Sequence, residues 1–174
     1  MNMFFTSDHH FSHTNIIQYC GRPFSSVEEM DEAMVWRWNQ AVKPTDSVYF
    51  LGDFTLGNAT LADSFLQRLN GKIYMLEGNH DKGWFRKNYF FGNKVQFLPP
   101  LYKLNFDGQM IILCHYPMRS WQSSEHGSWH LFGHEHGRFA PQGLSFDAGV
   151  DCNNFYPFSF EEVKTKMNSL STWK

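Results

Sequence analysis

The chain has 174 residues, 42% of them hydrophobic and 18% aromatic, a composition that excludes a disordered or low-complexity protein. Fifteen basic residues stand against seventeen acidic ones, for a formal charge of -2, so no global field points to a nucleic-acid or anionic-membrane partner. The longest apolar run, 110–114, is far too short to cross a membrane, and residues 1–7 offer no basic segment ahead of an apolar one, so an unexported, cytoplasmic protein is expected.

Residues 3–7 read as a short buried strand running into Asp8. From Ser25, two overlapping capping boxes, Ser25 with Glu28 and Ser26 with Glu29, precede apolar residues at 30, 33, 34, 38 and 42. That is the spacing of an amphipathic helix, which Pro44 ends. Residues 47–51 form a β-rich run into Gly52-Asp53, and a second helix with Leu61, Phe65, Leu66 and Leu69 on one face stops at Asn70-Gly71. A third strand over 72–76 completes an alternation that requires right-handed crossovers and a parallel sheet. Further strands are predicted at 94–98, 101–106, 109–114, 129–132 and 144–149; their links are mostly too short for crossover helices, so antiparallel pairing is expected. A last helix over 161–170 takes its capping box from Ser159 and Glu162. The whole reads as one α/β domain over 1–174, with a mixed sheet or two stacked sheets.

Three cysteines, Cys20, Cys114 and Cys152, lie far apart and outside any CxxC arrangement, which fits a reducing compartment and no cysteine zinc site. Nine histidines are the more telling feature, because His9/His10/His13, His126/His130 and His134/His136 are clustered. Five polar groups each follow a predicted strand: Asp8-His9-His10, Gly52-Asp53, 78–81, His115 and 133–136. The carboxyl ends of parallel strands form a crevice, so the first three of these converge on one edge. In extended chain Asp8 and His10 point the same way and can share an ion, while the two oxygens of Asp53 can bridge a pair of cations. Two divalent ions against two aspartates leave net positive charge, which suits a phosphate oxygen and acidifies a bridging water.

In this order D-x-H, G-D, G-N-H-D, a lone His and G-H-x-H resemble the motifs of the calcineurin-like metallophosphoesterase superfamily, at Asp8/His10, Asp53, 78–81, His115 and 133–136. Segments 20–24 and 115–121 further resemble its small, capless bacterial and phage members. The resemblance implies a four-layer α/β/β/α sandwich of two mixed sheets with a dinuclear centre at one edge. It implies that Asp8, His10, Asp53 and His136 bind a first ion, that Asp53, Asn79, His115 and His134 bind a second, and that His80 contacts the phosphate and protonates the leaving group. Manganese is the favoured metal, with iron, nickel, zinc and cobalt compatible with the same ligands. The activity implied is hydrolysis of phosphoesters by a metal-bridged hydroxide, diesters ahead of monoesters or nucleotide pyrophosphates, with a non-catalytic interaction module the weakest alternative. The protein Ser/Thr phosphatases of that superfamily carry a further Asp where this chain has Leu56, so the carboxylate that orients their catalytic histidine has no counterpart here.

Around this set, His13 is a candidate for substrate contact, and Arg22 and Arg119 are candidate phosphate clamps. His9, His126 and His130 are read as surface or hydrogen-bonded histidines, and Asp147 and Asp151 as turn residues. The partner expected is a small phosphoester or nucleotide, with no membrane and no stable nucleic-acid complex.

Overall fold

In the computed structural model, which describes residues 1–85 and 91–171, nine short strands form two mixed sheets. The first sheet combines β1 (Met3–Thr6), β2 (Ser47–Phe50), β3 (Lys72–Met75), β4 (Val95–Phe97) and β9 (Phe158–Ser159). Its order is β4-β3-β2-β1-β9, with β1 to β4 parallel and β9 antiparallel to β1. The second sheet, in the order β5-β6-β7-β8, contains β5 (Leu101–Phe106), β6 (Gln109–Cys114), β7 (Trp129–Phe132) and β8 (Ser145–Asp147).

Helices α1 (Thr14–Cys20), α2 (Val27–Ala41) and α3 (Ala59–Leu66) bury their apolar faces on the first sheet. Met30, Met34 and Trp38 of α2 and Ala62, Phe65 and Leu66 of α3 pack there with Val48, Phe50, Ile73 and Met75. Ser26 caps α2 by accepting the Glu29 N–H, while the Glu29 carboxylate takes the Ser25 N–H; Asn58 caps α3 in the same way through Leu61. A second core fills the space between the sheets, built from Phe5, Tyr49, Leu51 and Leu76 on one side and Ile111, Leu113, Leu131 and Phe146 on the other. The short α4 (Lys82–Phe85) follows β3, and α5 (Phe160–Asn168), closed by the expected Ser159–Glu162 capping box, adds Phe160, Val163 and Met167 to the inter-sheet core.

The antiparallel pairing expected for the second half holds only for β5 with β6; β6, β7 and β8 run parallel. A crossover needs length rather than helix, and residues 115–128 supply it as an irregular segment anchored by Trp121, whose ring lies 5.3 Å from that of His130. Both sheets therefore present carboxyl ends at one edge, where a parallel bridge between Ser7 and Gly149 joins them. No helix among the described residues is long and apolar enough to cross a membrane.

Candidate metal centre

Each of the five polar clusters does begin where a strand ends, after β1, β2, β3, β6 and β7. The local backbone is not extended. Asp8, His10, Asp53, His134 and His136 all have positive φ, between 50° and 73°. Non-glycine residues adopt this left-handed conformation at a cost that surrounding contacts must offset. Asp8 and His10 point to the same side through alternating left-handed residues, not through a strand. The turn is held because the N–H groups of Asp8, His10 and Phe11 donate to the carbonyls of Gly52, Asp53 and Phe54 at 3.0, 3.1 and 2.8 Å.

Glycines let these loops touch. A Cβ at Gly78 would collide with the backbone N and Oδ1 of Asp53, and one at Gly133 with Oγ of Ser7 and Oδ2 of Asp8. The Asp81 carboxylate ties two loops together by accepting the N–H groups of Asp53, Phe54 and Gly78 at 2.8, 3.0 and 3.0 Å. It is thus a backbone anchor and not the orienter of the His80 ring.

The two aspartates are used alike. Oδ2 of Asp8 accepts the His134 N–H at 2.9 Å, and its buried Oδ1 has no partner among the described residues. Oδ1 of Asp53 accepts the His80 N–H at 2.8 Å, and its Oδ2 stands 3.6 Å from Nε2 of His10 and 3.5 Å from Nε2 of His115. Four groups of potential ligand atoms result among the described residues: Asp8 with His10 and His136, Asp53 with His115 and His134, His10 with Asp53 and His80, and Cys20 with His136 and Asp151; the first two match the expected ligand sets. Asn79 belongs with the second, its Oδ1 3.0 Å from Nε2 of His115. Nδ1 of His115 donates to the Leu51 carbonyl at 2.9 Å and Nδ1 of His136 to Oδ2 of Asp151 at 2.8 Å, which leaves Nε2 of each ring to the centre.

The donor set fits divalent cations. A buried acceptor, Asp8 Oδ1, and a buried imidazole nitrogen, His10 Nε2, both lack a hydrogen-bond partner among the described residues, an arrangement that costs free energy unless something positive meets them. Without a cation, burial pushes Asp8 up to about 7 and His10 down to about 2. Burial acts to raise Asp53 as well, but the hydrogen bond and charge of His115 hold it at about 2. Burial acts to lower His136, yet Asp151 overrides this and raises it to about 10.

The centre lies in an open cleft of about 270 Å³ lined by His10, His13, Tyr19, Asp53, His80 and Arg138, among others. His13 is there as expected, its Nδ1 3.4 Å from Nδ1 of His10. His80 presents a ring 36% exposed, 5.1 Å from the His10 ring.

The two arginines expected to clamp phosphate are elsewhere. Gly21, with φ +60°, reverses the chain after α1 and folds Arg22 beneath the metal loop. There its guanidinium is consumed by Asp151, the carbonyls of Asp8 and His9 and the Met30 sulfur. Arg119 is exposed on the segment after β6 and does not line the cleft, whereas Arg138 does. His130 is buried and hydrogen-bonded through both ring nitrogens, and His126 is exposed. His9 is not at the surface: it is enclosed by Phe11, Trp38 and Phe50, and neither ring nitrogen has a hydrogen-bond partner among the described residues. Asp147 does hold a turn, accepting the N–H groups of Gly137 and Gly149, but Asp151 reaches His136. Asp151 follows β8 as the other acidic groups follow their strands, and that placement was the available signal.

A family model for calcineurin-like phosphoesterases matches residues 1–138. An uncharacterized protein of Methanocaldococcus jannaschii is 36% identical over 170 residues, spanning 92% of this chain and 88% of its own. Among solved structures, a protein of unknown function from Aquifex aeolicus superposes with a TM-score of 0.73 at 23% identity, covering 95% of this chain and 98% of its own. An archaeal phosphodiesterase shares the fold at a TM-score of 0.52 and 16% identity, over 86% and 84% of the two chains. Together with the strand-end motifs, these matches establish that the chain belongs to the calcineurin-like phosphoesterase family and is a metal-dependent hydrolase of phosphoric esters.

Proposed function

We propose that the protein is a dinuclear phosphoesterase acting on small phosphodiesters. The observation that carries this reading is the position of Asp53, whose Oδ2 lies within 3.6 Å of His10 and 3.5 Å of His115, between the two ligand groups. Asp8, His10, Asp53 and His136 would hold one ion, and Asp53, Asn79, His115 and His134 the other, with manganese the favoured occupant. When bound, the ions supply positive charge for phosphoryl oxygens and a water acidic enough to attack phosphorus near neutral pH.

The chain's own residues then have separate tasks. His80, partly exposed at the cleft and outside both proposed ligand sets, donates a proton to the departing oxygen. His13 and Arg138 line the same cleft and contact the substrate's non-bridging oxygens or its leaving group. Among the described lining residues Arg138 is the sole permanently charged cation, which suits the monoanion of a diester better than a monoester dianion. Free cysteines fit a reducing cytoplasm.

Turnover of bis-p-nitrophenyl phosphate against p-nitrophenyl phosphate, at one pH with manganese, tests the ester class. A higher kcat/KM for the diester is expected; a monoester preference that persists across metals would make the protein a phosphomonoesterase or nucleotide pyrophosphohydrolase instead.

A further inference from the structure

We propose that Arg22 and Asp151 form a positioning pair that sets the His136 imidazole for metal binding and locks it to the Asp8–His10 loop. The inference rests on the two-ion reading above and assigns a role to a segment beyond residue 138, where the family match ends.

The geometry is a fork. Nε and Nη2 of Arg22 donate to Oδ1 and Oδ2 of Asp151 at 2.8 and 2.7 Å, a bidentate pair with the arginine side chain fully buried. The outer edge of the same guanidinium donates to the carbonyls of Asp8 and His9 at 2.7 and 3.0 Å. Oδ2 of Asp151 in turn accepts Nδ1–H of His136 at 2.8 Å. One planar cation thus joins a ligand-bearing loop at the start of the chain to the carboxylate that orients a ligand near its end. Val150 reaches this position because its N–H donates to Ser7 O at 3.1 Å, beside the bridge between the sheets.

The arrangement has a chemical consequence. With Nδ1–H committed to a carboxylate, His136 can bind a cation only through Nε2, and the carboxylate makes that nitrogen a better donor. Arg22 contributes to this by geometry: its fork takes both oxygens of Asp151 and leaves Oδ2 directed at Nδ1–H of His136. A lysine cannot substitute, because a point charge with three rotatable donors has no fork for a carboxylate and two carbonyls at once.

The test uses the full-length protein and zinc, which is diamagnetic. Zinc titration calorimetry of the wild type should resolve two ions per chain; if it does not, the two-ion reading fails before this one is reached. In Asp151→Asn the affinity of the ion held with Asp8 and His10 should fall about 10–100-fold, with the His115 resonances still reporting the other ion bound as before. Arg22→Lys should produce a loss at the same site, although it preserves the charge. Unchanged affinities in both variants, or equal weakening of both ions in step with a lower Tm, would overturn the proposal. Should either variant fail to fold, long-range ¹H–¹⁵N spectra of the zinc-loaded wild type still decide: His136 protonated at Nδ1 and ligated at Nε2 is required, and ligation through Nδ1 would overturn it.

Discussion

The backbone N–H of His80 is fastened to Oδ1 of Asp53, 2.8 Å away, so the residue proposed to protonate the leaving group is carried on the carboxylate proposed to join the ions. On the proposed reading Asp53 does three things with two oxygens, and its charge is the one that cannot be spared. Asp53→Asn preserves an acceptor for His80 but removes the anion that faces both His10 and His115. Manganese content, measured by elemental analysis after dialysis, should fall from about two ions per chain towards none in Asp53→Asn, and towards about one in His10→Ala. Two retained ions with undiminished turnover in Asp53→Asn would show that it does not bridge.

The strand-end motifs were readable because each proposed ligand follows a short apolar run, and parallel strands bring such ends together whatever lies between them. Helix α2 was equally plain from its caps and spacing. What escaped is what depends on chain direction in space. The left-handed turns at Asp8, His10 and Asp53 leave no mark at non-glycine positions, so an extended loop was the natural expectation. Helix α1, seven residues long, has no side-chain cap and no acidic first turn, so only Gly21 marked its end. Without that helix, nothing in the sequence told Arg22 to turn inward rather than towards solvent. The parallel pairing of β6 with β7 was hidden for a similar reason, since an irregular crossover has no periodicity to read.

The inter-sheet core makes a prediction about alkaline stability. Tyr49, 7% exposed, stacks on Tyr74 at 5.0 Å and lies 6.3 Å from Tyr102. Burial, reinforced by the two neighbouring phenols, pushes its hydroxyl from 10.0 up to about 12. Because the folded-state value is the higher, the unfolded chain releases this proton first as pH rises. Stability is undisturbed by Tyr49 below about pH 10 and declines as pH climbs through the folded value. Thermal melts of the wild type and Tyr49→Phe should run in parallel below about pH 9.5 and diverge above about pH 10.5, with the wild type losing more. Parallel curves throughout would mean that the phenol titrates normally in the fold.

His80 offers the sharpest separation of chemistry from binding. Its backbone is pinned by Asp53, while its ring is exposed at the cleft, 4.0 Å from Oδ2 of Asp53 at Nε2. His80→Ala keeps the N–H that Asp53 uses, so metal content should be intact, which elemental analysis verifies first. The kinetic cost should then follow the leaving group. A p-nitrophenolate departs without a proton, whereas an alkoxide or ribose oxygen does not, so the loss in kcat should be about 10²–10⁴-fold for an alkyl ester and much smaller for the nitrophenyl one. A histidine that merely anchored phosphate would depress kcat/KM for both substrates to the same degree. Equal losses would therefore reassign His80 to binding, and no loss on either ester would remove it from the reaction, leaving His13, whose ring lies 6.1 Å away, as the imidazole to test next.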